Sequence, residues 1–150
     1  MGSDLDILVG DSDGQHVMLR PLGRSQAGLF DYSDGNWITC ELHISAGGFR
    51  GHFRADLRSE EFLAFLEELA SLRRTLDGRA TFSTIEGQIS FSLTGDERGH
   101  VQVEGDAVDV AGTGNRLHFG FEIDQTYLPP LCRSLESFLG AFPVTGTAEA

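Results

Sequence analysis

Apolar residues recur at every second position over most of the chain, the mark of strands that bury one face. Leu5, Ile7 and Val9 alternate, DSDG at 11–14 offers a turn with Gly14 in a left-handed conformation, and Val17 and Leu19 alternate again. The pattern predicts a hairpin with Val9 facing Val17 and Ile7 facing Leu19. Beyond a stretch at 22–36 rich in Gly, Ser and Asp, Ile38, Cys40, Leu42 and Ile44 share one phase, and Phe49, Gly51, Phe53 and Ala55 share another. A two-residue turn at Ala46-Gly47 predicts a second hairpin, with Ile44 opposite Phe49 and Cys40 opposite Phe53.

The period changes at SEEFLAFLEELASLRRTLDG (59–78), where Phe62, Phe65, Leu66, Leu69, Leu72 and Leu76 fall on one helical face. Ser59 is the expected cap, Glu60 and Glu61 suit the positive end of the dipole, Arg73 and Arg74 the negative end, and Gly78 the close. Alternation then resumes. Ala80, Phe82 and Thr84 match Ile89, Phe91 and Leu93 across a Glu86-Gly87 turn, and these match Val101 and Val103. The phase switches between Val103 and Val108, which predicts a bulge at Gly105 that turns Val108 and Val110 inward. Leu117, Phe119, Phe121 and Ile123 form the last strand. A second helix carries Leu128, Leu131, Leu135, Phe138, Leu139 and Phe142 as its stripe, with Asp124 and Thr126 as capping candidates. Pro129 and Pro130 fit its first turn, Pro143 stops it, and TGTAEA reads as a frayed tail.

The order ββ-ββ-α-ββββ-α, joined by hairpins without parallel crossovers, predicts an α+β fold: an antiparallel sheet of up to eight strands with two helices packed on one face. The 150 residues suffice for a single α+β domain with an ordered core over about 4–143. No apolar run approaches a membrane span and no signal-peptide pattern opens the chain, so the expected location is cytoplasmic. Cys40 and Cys132 stand far apart in apolar surroundings and are expected as buried thiols, although a pair meeting in the core is also open.

With the apolar set inward, all five histidines fall on the outward phase, and so do Trp37, Glu41, Arg50 and Arg54. The expected register sets His43 opposite Arg50, Glu41 opposite His52 and Thr39 opposite Arg54, a charged ladder. No GxSxG elbow exists for a Ser-His-acid enzyme. Glu41, His43 and His52 approach one another on neighbouring strands, but Arg50 and Arg54 in the same patch oppose a cation, so a solvated polar ladder is preferred. Asp11 and Asp13 lack the remaining ligands of a calcium loop, and AGTGN (111–115) precedes a strand rather than the helix a phosphate loop needs. Accordingly no catalytic, cofactor or metal site is assigned.

Charge narrows the partner. The net charge is −12, from 23 acidic and 11 basic residues, and every basic one is arginine. Such a surface repels nucleic acid and attracts basic proteins.

The segment DYSDGNWITCELHI (31–44) resembles the WapI-type immunity proteins and related uncharacterised bacterial proteins, in which a similar Asp-Tyr, Asn-Trp segment leads into a strand. The likeness extends loosely over the hairpins, the EEFLAFLEELASL helix and the final helix, while DQTYLPPL before that helix departs from the family pattern. The resemblance implies a non-enzymatic cytosolic protein that binds and blocks a toxin, commonly a nuclease. The partner-binding candidates are Trp37, Glu41, His43, Arg50, His52 and Arg54, and the partner a cognate toxin or other basic protein, with no nucleic acid or membrane and a possible homodimer. A small-molecule or regulatory binding module on the same face is the alternative, or an enzyme using its histidines.

Overall fold

The computed structural model describes residues 5–25, 28 and 35–146. The eight strands and two helices follow the expected order. β1 (Ile7–Gly10), β2 (His16–Arg24), β3 (Trp37–Ala46) and β4 (Phe49–Arg58) form one antiparallel sheet. Helix α1 (Ser59–Thr75) follows at once. β5 (Asp77–Phe82), β6 (Ile89–Asp96), β7 (His100–Val108) and β8 (Arg116–Asp124) form a second, and α2 (Leu128–Ala141) ends the fold. The strands therefore divide into two four-stranded sheets. The chain passes from β4 into α1 without a loop, so β5 starts at the far end of a 17-residue helix rather than beside β4.

One core spans both sheets and both helices. Phe62 of α1 lies 4.1 Å from Phe138 of α2 and 5.0 Å from Phe82 of β5, centroid to centroid, and Phe65 meets Phe82 and Phe91 edge-on. These tilted and edge contacts add stability beyond the area they bury. Two buried polar side chains join the sheets. Glu61 accepts from the backbone N–H of Arg58 at 2.8 Å and of Ile85 at 2.7 Å. Gln88 reaches the carbonyls of Arg54, Val108 and Asp109 at 3.2–3.3 Å.

The first hairpin has the expected register, Val9 opposite Val17 and Ile7 opposite Leu19. Its DSDG turn closes with Gly14 N–H donating to the Asp11 carbonyl, but Gly14 is not left-handed; Gly10 is. The second hairpin differs. Its turn is Gly47-Gly48, not Ala46-Gly47, with Ala46 opposite Phe49 and Gly47 at φ 59. Glycine takes that conformation at no steric cost, so the turn forms where two glycines adjoin. Every pair in the β3–β4 ladder moves by two residues, which preserves the inward phase and changes each outward neighbour.

A second correction concerns Gly105. It is no bulge: β7 pairs without interruption, Phe91 and Phe119 flanking Gly105 on either side. Its inward phase continues to Ala107, and Val110 is 57% exposed. A Cβ at 105 would lie 2.4 Å from the Ser90 carbonyl oxygen, 2.6 Å from Phe91 Cβ and 2.9 Å from Phe119 Cζ. Glycine is there so that two phenylalanines can close over the strand.

Helix boundaries shift too. Arg58 is the N-cap residue of α1, and Ser59 lies inside the helix with its hydroxyl unpaired. Leu76, at φ 58, and not Gly78 closes it. At the second helix Asp124 accepts from Thr126 N–H at 2.8 Å, a 3-10 turn follows over Gln125–Tyr127, and Pro129 and Pro130 occupy the first turn of α2 as expected.

The tail is partly pinned. Buried Asn36 accepts from Thr145 N–H at 2.7 Å and donates to the Thr145 carbonyl at 3.1 Å, while its own carbonyl accepts from Ser59 N–H at 2.9 Å. The remainder of the expected tail (147–150), residue 4 of the expected core, and the DYSD part of the resembling segment (31–34) lie outside the described residues. Cys40 and Cys132 are buried and unpaired, and burial pushes the Cys40 thiol up to about 12, with Asp56 and Glu61 adding to the effect. No helix among the described residues is long and apolar enough to cross a membrane.

Candidate functional site

Alternation along β3 and β4 places Trp37, Glu41, His43, Arg50, His52 and Arg54 on the outer face of the first sheet, as expected. The register decides which of them meet. His43 stands directly opposite His52, Glu41 opposite Arg54, Thr39 opposite Asp56, and Arg50 opposite Ser45 at the hairpin end. Glu41 Oε1 lies 2.9 Å from His43 Nε2 and 3.3 Å from His52 Nε2. The two imidazoles stack, with centroids 4.1 Å apart and planes inclined by 21°. The hydrogen bond with His43, aided by His52, holds the Glu41 carboxyl below its ordinary range despite partial desolvation.

The other three candidates do not join this cluster. Trp37 lies four residues from Glu41, about 13 Å along the strand. It is half-buried, with the Arg58 guanidinium carbon 5.9 Å from its ring centroid, a cation–π contact that covers it. Arg50 and Arg54 are exposed, and among the described residues the ion-pair partners of Glu41 are the two histidines. Arg20, across from Glu41 on β2, is held by Asp6 at 3.1 Å. With Arg20, Arg50, Arg54 and Arg58 against Asp6, Glu41 and Asp56, this face is mixed in sign.

The outer face of the second sheet is different. Register collects Asp77, Asp96, Glu104, Asp106, Glu122 and Asp124 there, against Arg79 and Arg116. His118 contacts Asp106 at 3.2 Å and Glu104 at 3.7 Å, and His100 contacts Asp96 at 2.7 Å. A depression of about 230 Å³ opens between Arg79, Ser92, Gln102, Glu104, Asp106 and His118. Phe49, at the tip of the β3–β4 hairpin and 68% exposed, borders this face where it shares a hollow with Leu117, His118 and Gly120.

This acidic ladder is not legible in full from the alternation pattern, because the bulge expected at Gly105 would turn Asp106 inward. The signal that finds it is an uninterrupted phase through Gly105, which sets Glu104 and Asp106 on the same side as His118.

Among the solved structures that resemble this chain are two weak likenesses. MRP1/MRP2 of Trypanosoma bruciei shares 14% identity at a TM-score of 0.41, covering 91% of this chain and 83% of the other. The CdiA-CT/CdiI toxin and immunity complex from Enterobacter cloacae shares 11% identity at 0.44, covering 91% and 99%. Neither likeness bears on activity. No curated protein matches the chain in sequence. The family match, in contrast, runs over residues 7–143, from the first residue of β1 to the proline that follows α2. By that match the chain belongs to the Immunity protein WapI-like family.

Proposed function

We propose that this protein neutralises a cognate protein toxin by binding it in the cytoplasm, without turnover. The family match over residues 7–143 carries the reading. The surface supports it. The acidic outer face of β6–β8 suits a basic partner, since complementary charge speeds encounter and fixes orientation. Glu104 and Asp106 rim a depression of side-chain size that fits an arginine or lysine from the partner. Phe49, in the neighbouring hollow beside His118 and Gly120, supplies the apolar anchor that charged surfaces need for slow dissociation.

The first-sheet face is the second reading, favoured by half-buried Trp37, an aromatic of the type enriched in binding hot spots. Its mixed charge suits a partner of mixed sign rather than a basic one. The test is co-expression with the protein encoded beside it, reading toxicity and complex formation. A stoichiometric complex that abolishes toxicity supports the proposal; growth arrest unrelieved by the chain refutes it. Charge reversal at Asp106 and truncation of Trp37 then separate the two faces.

A further inference from the structure

We propose that Glu41, His43 and His52 form a binding site for one divalent transition-metal ion of the Zn²⁺ class on the outer face of the first sheet. The proposal stands independently of the toxin-binding reading. Among the described residues these three are the one group of histidine, cysteine and carboxylate side chains whose ligand atoms all lie within 4.8 Å of one another. The spacing follows from strand geometry. Residues 41 and 43 point to the same side of β3, and His52 is the direct cross-strand partner of His43, so three ligands project from three adjacent points of one rigid ladder.

The distances are those of a metal site before closure. In tetrahedral zinc with bonds near 2.0–2.2 Å, ligand atoms stand about 3.3 Å apart. Here the two nitrogen-to-oxygen separations are 2.9 and 3.3 Å. The stacked rings direct both Nε2 atoms toward the same carboxylate oxygen, so a cation placed between them and Glu41 meets three donors with small side-chain rotations. His43 Nε2 hydrogen-bonds the carboxylate and His52 Nε2 stands 3.3 Å from the same oxygen; with metal bound each Nε2 presents its lone pair, and the ring proton resides on Nδ1. Two imidazoles and one carboxylate are borderline donors that suit zinc and its neighbours over calcium or magnesium. The side chain of His52 is 61% exposed, which leaves the solvent side open for water or a fourth ligand.

The observed register moves Arg50 two residues along from His43, although it still lines a hollow with His43 and His52, and brings Arg54 opposite Glu41. Arg50 pairs with Ser45 rather than His43, and Arg20 is neutralised by Asp6. Arg54 remains opposite Glu41, exposed and without an ion pair to it among the described residues. Its long side chain is free to extend into water.

The test is calorimetric titration of the full chain with zinc chloride in a non-chelating buffer at pH 7.5. The expected result is saturation at one equivalent, weakened at least about tenfold by His52→Gln and by His43→Gln, and unchanged by His118→Gln or His100→Gln. His52 is the decisive position because its exposure spares the fold. Absence of saturable binding, binding undiminished by His52→Gln, or equal loss with His118→Gln overturns the proposal. Histidine ¹⁵N spectra give a second reading: zinc shifts Nε2 of His43 and His52, and movement confined to His100 or His118 overturns the assignment.

Discussion

Gly105→Ala tests the packing of the second sheet, because two physical effects of that substitution have opposite sign. Gly105 lies in a strand and does not have positive φ, so alanine is compatible with its backbone. The loss of unfolded-state freedom alone would then stabilise by about 0.4–1 kcal/mol. Against this, the new methyl group meets the Ser90 carbonyl oxygen at 2.4 Å and Phe91 Cβ at 2.6 Å. Neither is the free end of a flexible side chain, and Phe119 Cζ at 2.9 Å closes the third side. Relief needs β6 and β7 to part locally, an overpacking cost of about 1–3 kcal/mol. Taking the middle of each range, about 2 against about 0.7 kcal/mol, the balance is a net destabilisation of about 1.3 kcal/mol, which at this chain length lowers Tm by roughly 3–5 °C. Urea denaturation at fixed pH reads it as a lower midpoint at unchanged slope. A variant as stable as the parent, or more so, refutes the close approach of Phe91 and Phe119 and restores a bulge as the reason for glycine.

Asn36→Ala removes the three side-chain hydrogen bonds with Thr145 and is expected to cost about 1–3 kcal/mol by chemical denaturation, since buried polar partners lose their mates; a loss below the error of the measurement would contradict the clasp. Cys40 should resist thiol reagents at neutral pH until the protein unfolds, because burial holds its thiol near 12; rapid labelling of Cys40 in the native protein speaks against that burial. Asp96 raises His100, first by its hydrogen bond and then by its charge; for Asp96, partial desolvation is outweighed by hydrogen bonds from the Arg98 backbone and from His100, which together lower it. His100 contributes fully below its ordinary 6.5 and the contribution fades as pH rises through its raised value. Asp96 contributes above its ordinary 3.8 and fades as pH falls through its lowered value, so the pair stabilises most between the two. His100→Gln should flatten the change in Tm across this window, and an unaltered profile discounts the pair. Asp106→Arg is expected to slow association with a basic toxin on the order of tenfold, with the salt dependence reduced; kinetics identical to the parent exclude the β6–β8 face.

Most of the fold is legible because a one-residue slip exposes an entire apolar face, so alternation fixes phase strongly. Phase does not fix register. Moving β4 by two residues leaves every buried side chain buried, and only the preference of a two-residue turn for Gly47-Gly48 decides between them. Alternation thus assigns the candidate residues to the correct face with the wrong neighbours, and the His43–His52 stack follows from the turn. Gly105 hides for a related reason: missing side-chain volume is read as irregular backbone unless the partners that fill the space are known. Asn36 sits beside Trp37 in the segment that carries the family likeness, yet its partners Ser59 and Thr145 lie 23 and 109 residues away. Local pattern has no access to contacts at that range.

The clasp between Asn36 and Thr145 also couples two distant stretches of the chain at one point. It brings the chain, after α2, back to the corner where Trp37 begins β3 and Ser59 begins α1. The side chain of Asn36 turns inward to meet Thr145 whereas that of Trp37, the next residue, turns outward, so the returning chain lies on the inner side of the sheet, behind the tryptophan. Opening the clasp therefore loosens the exit of α2 and the start of α1 together, while the face that Trp37 presents outward keeps its strand pairing.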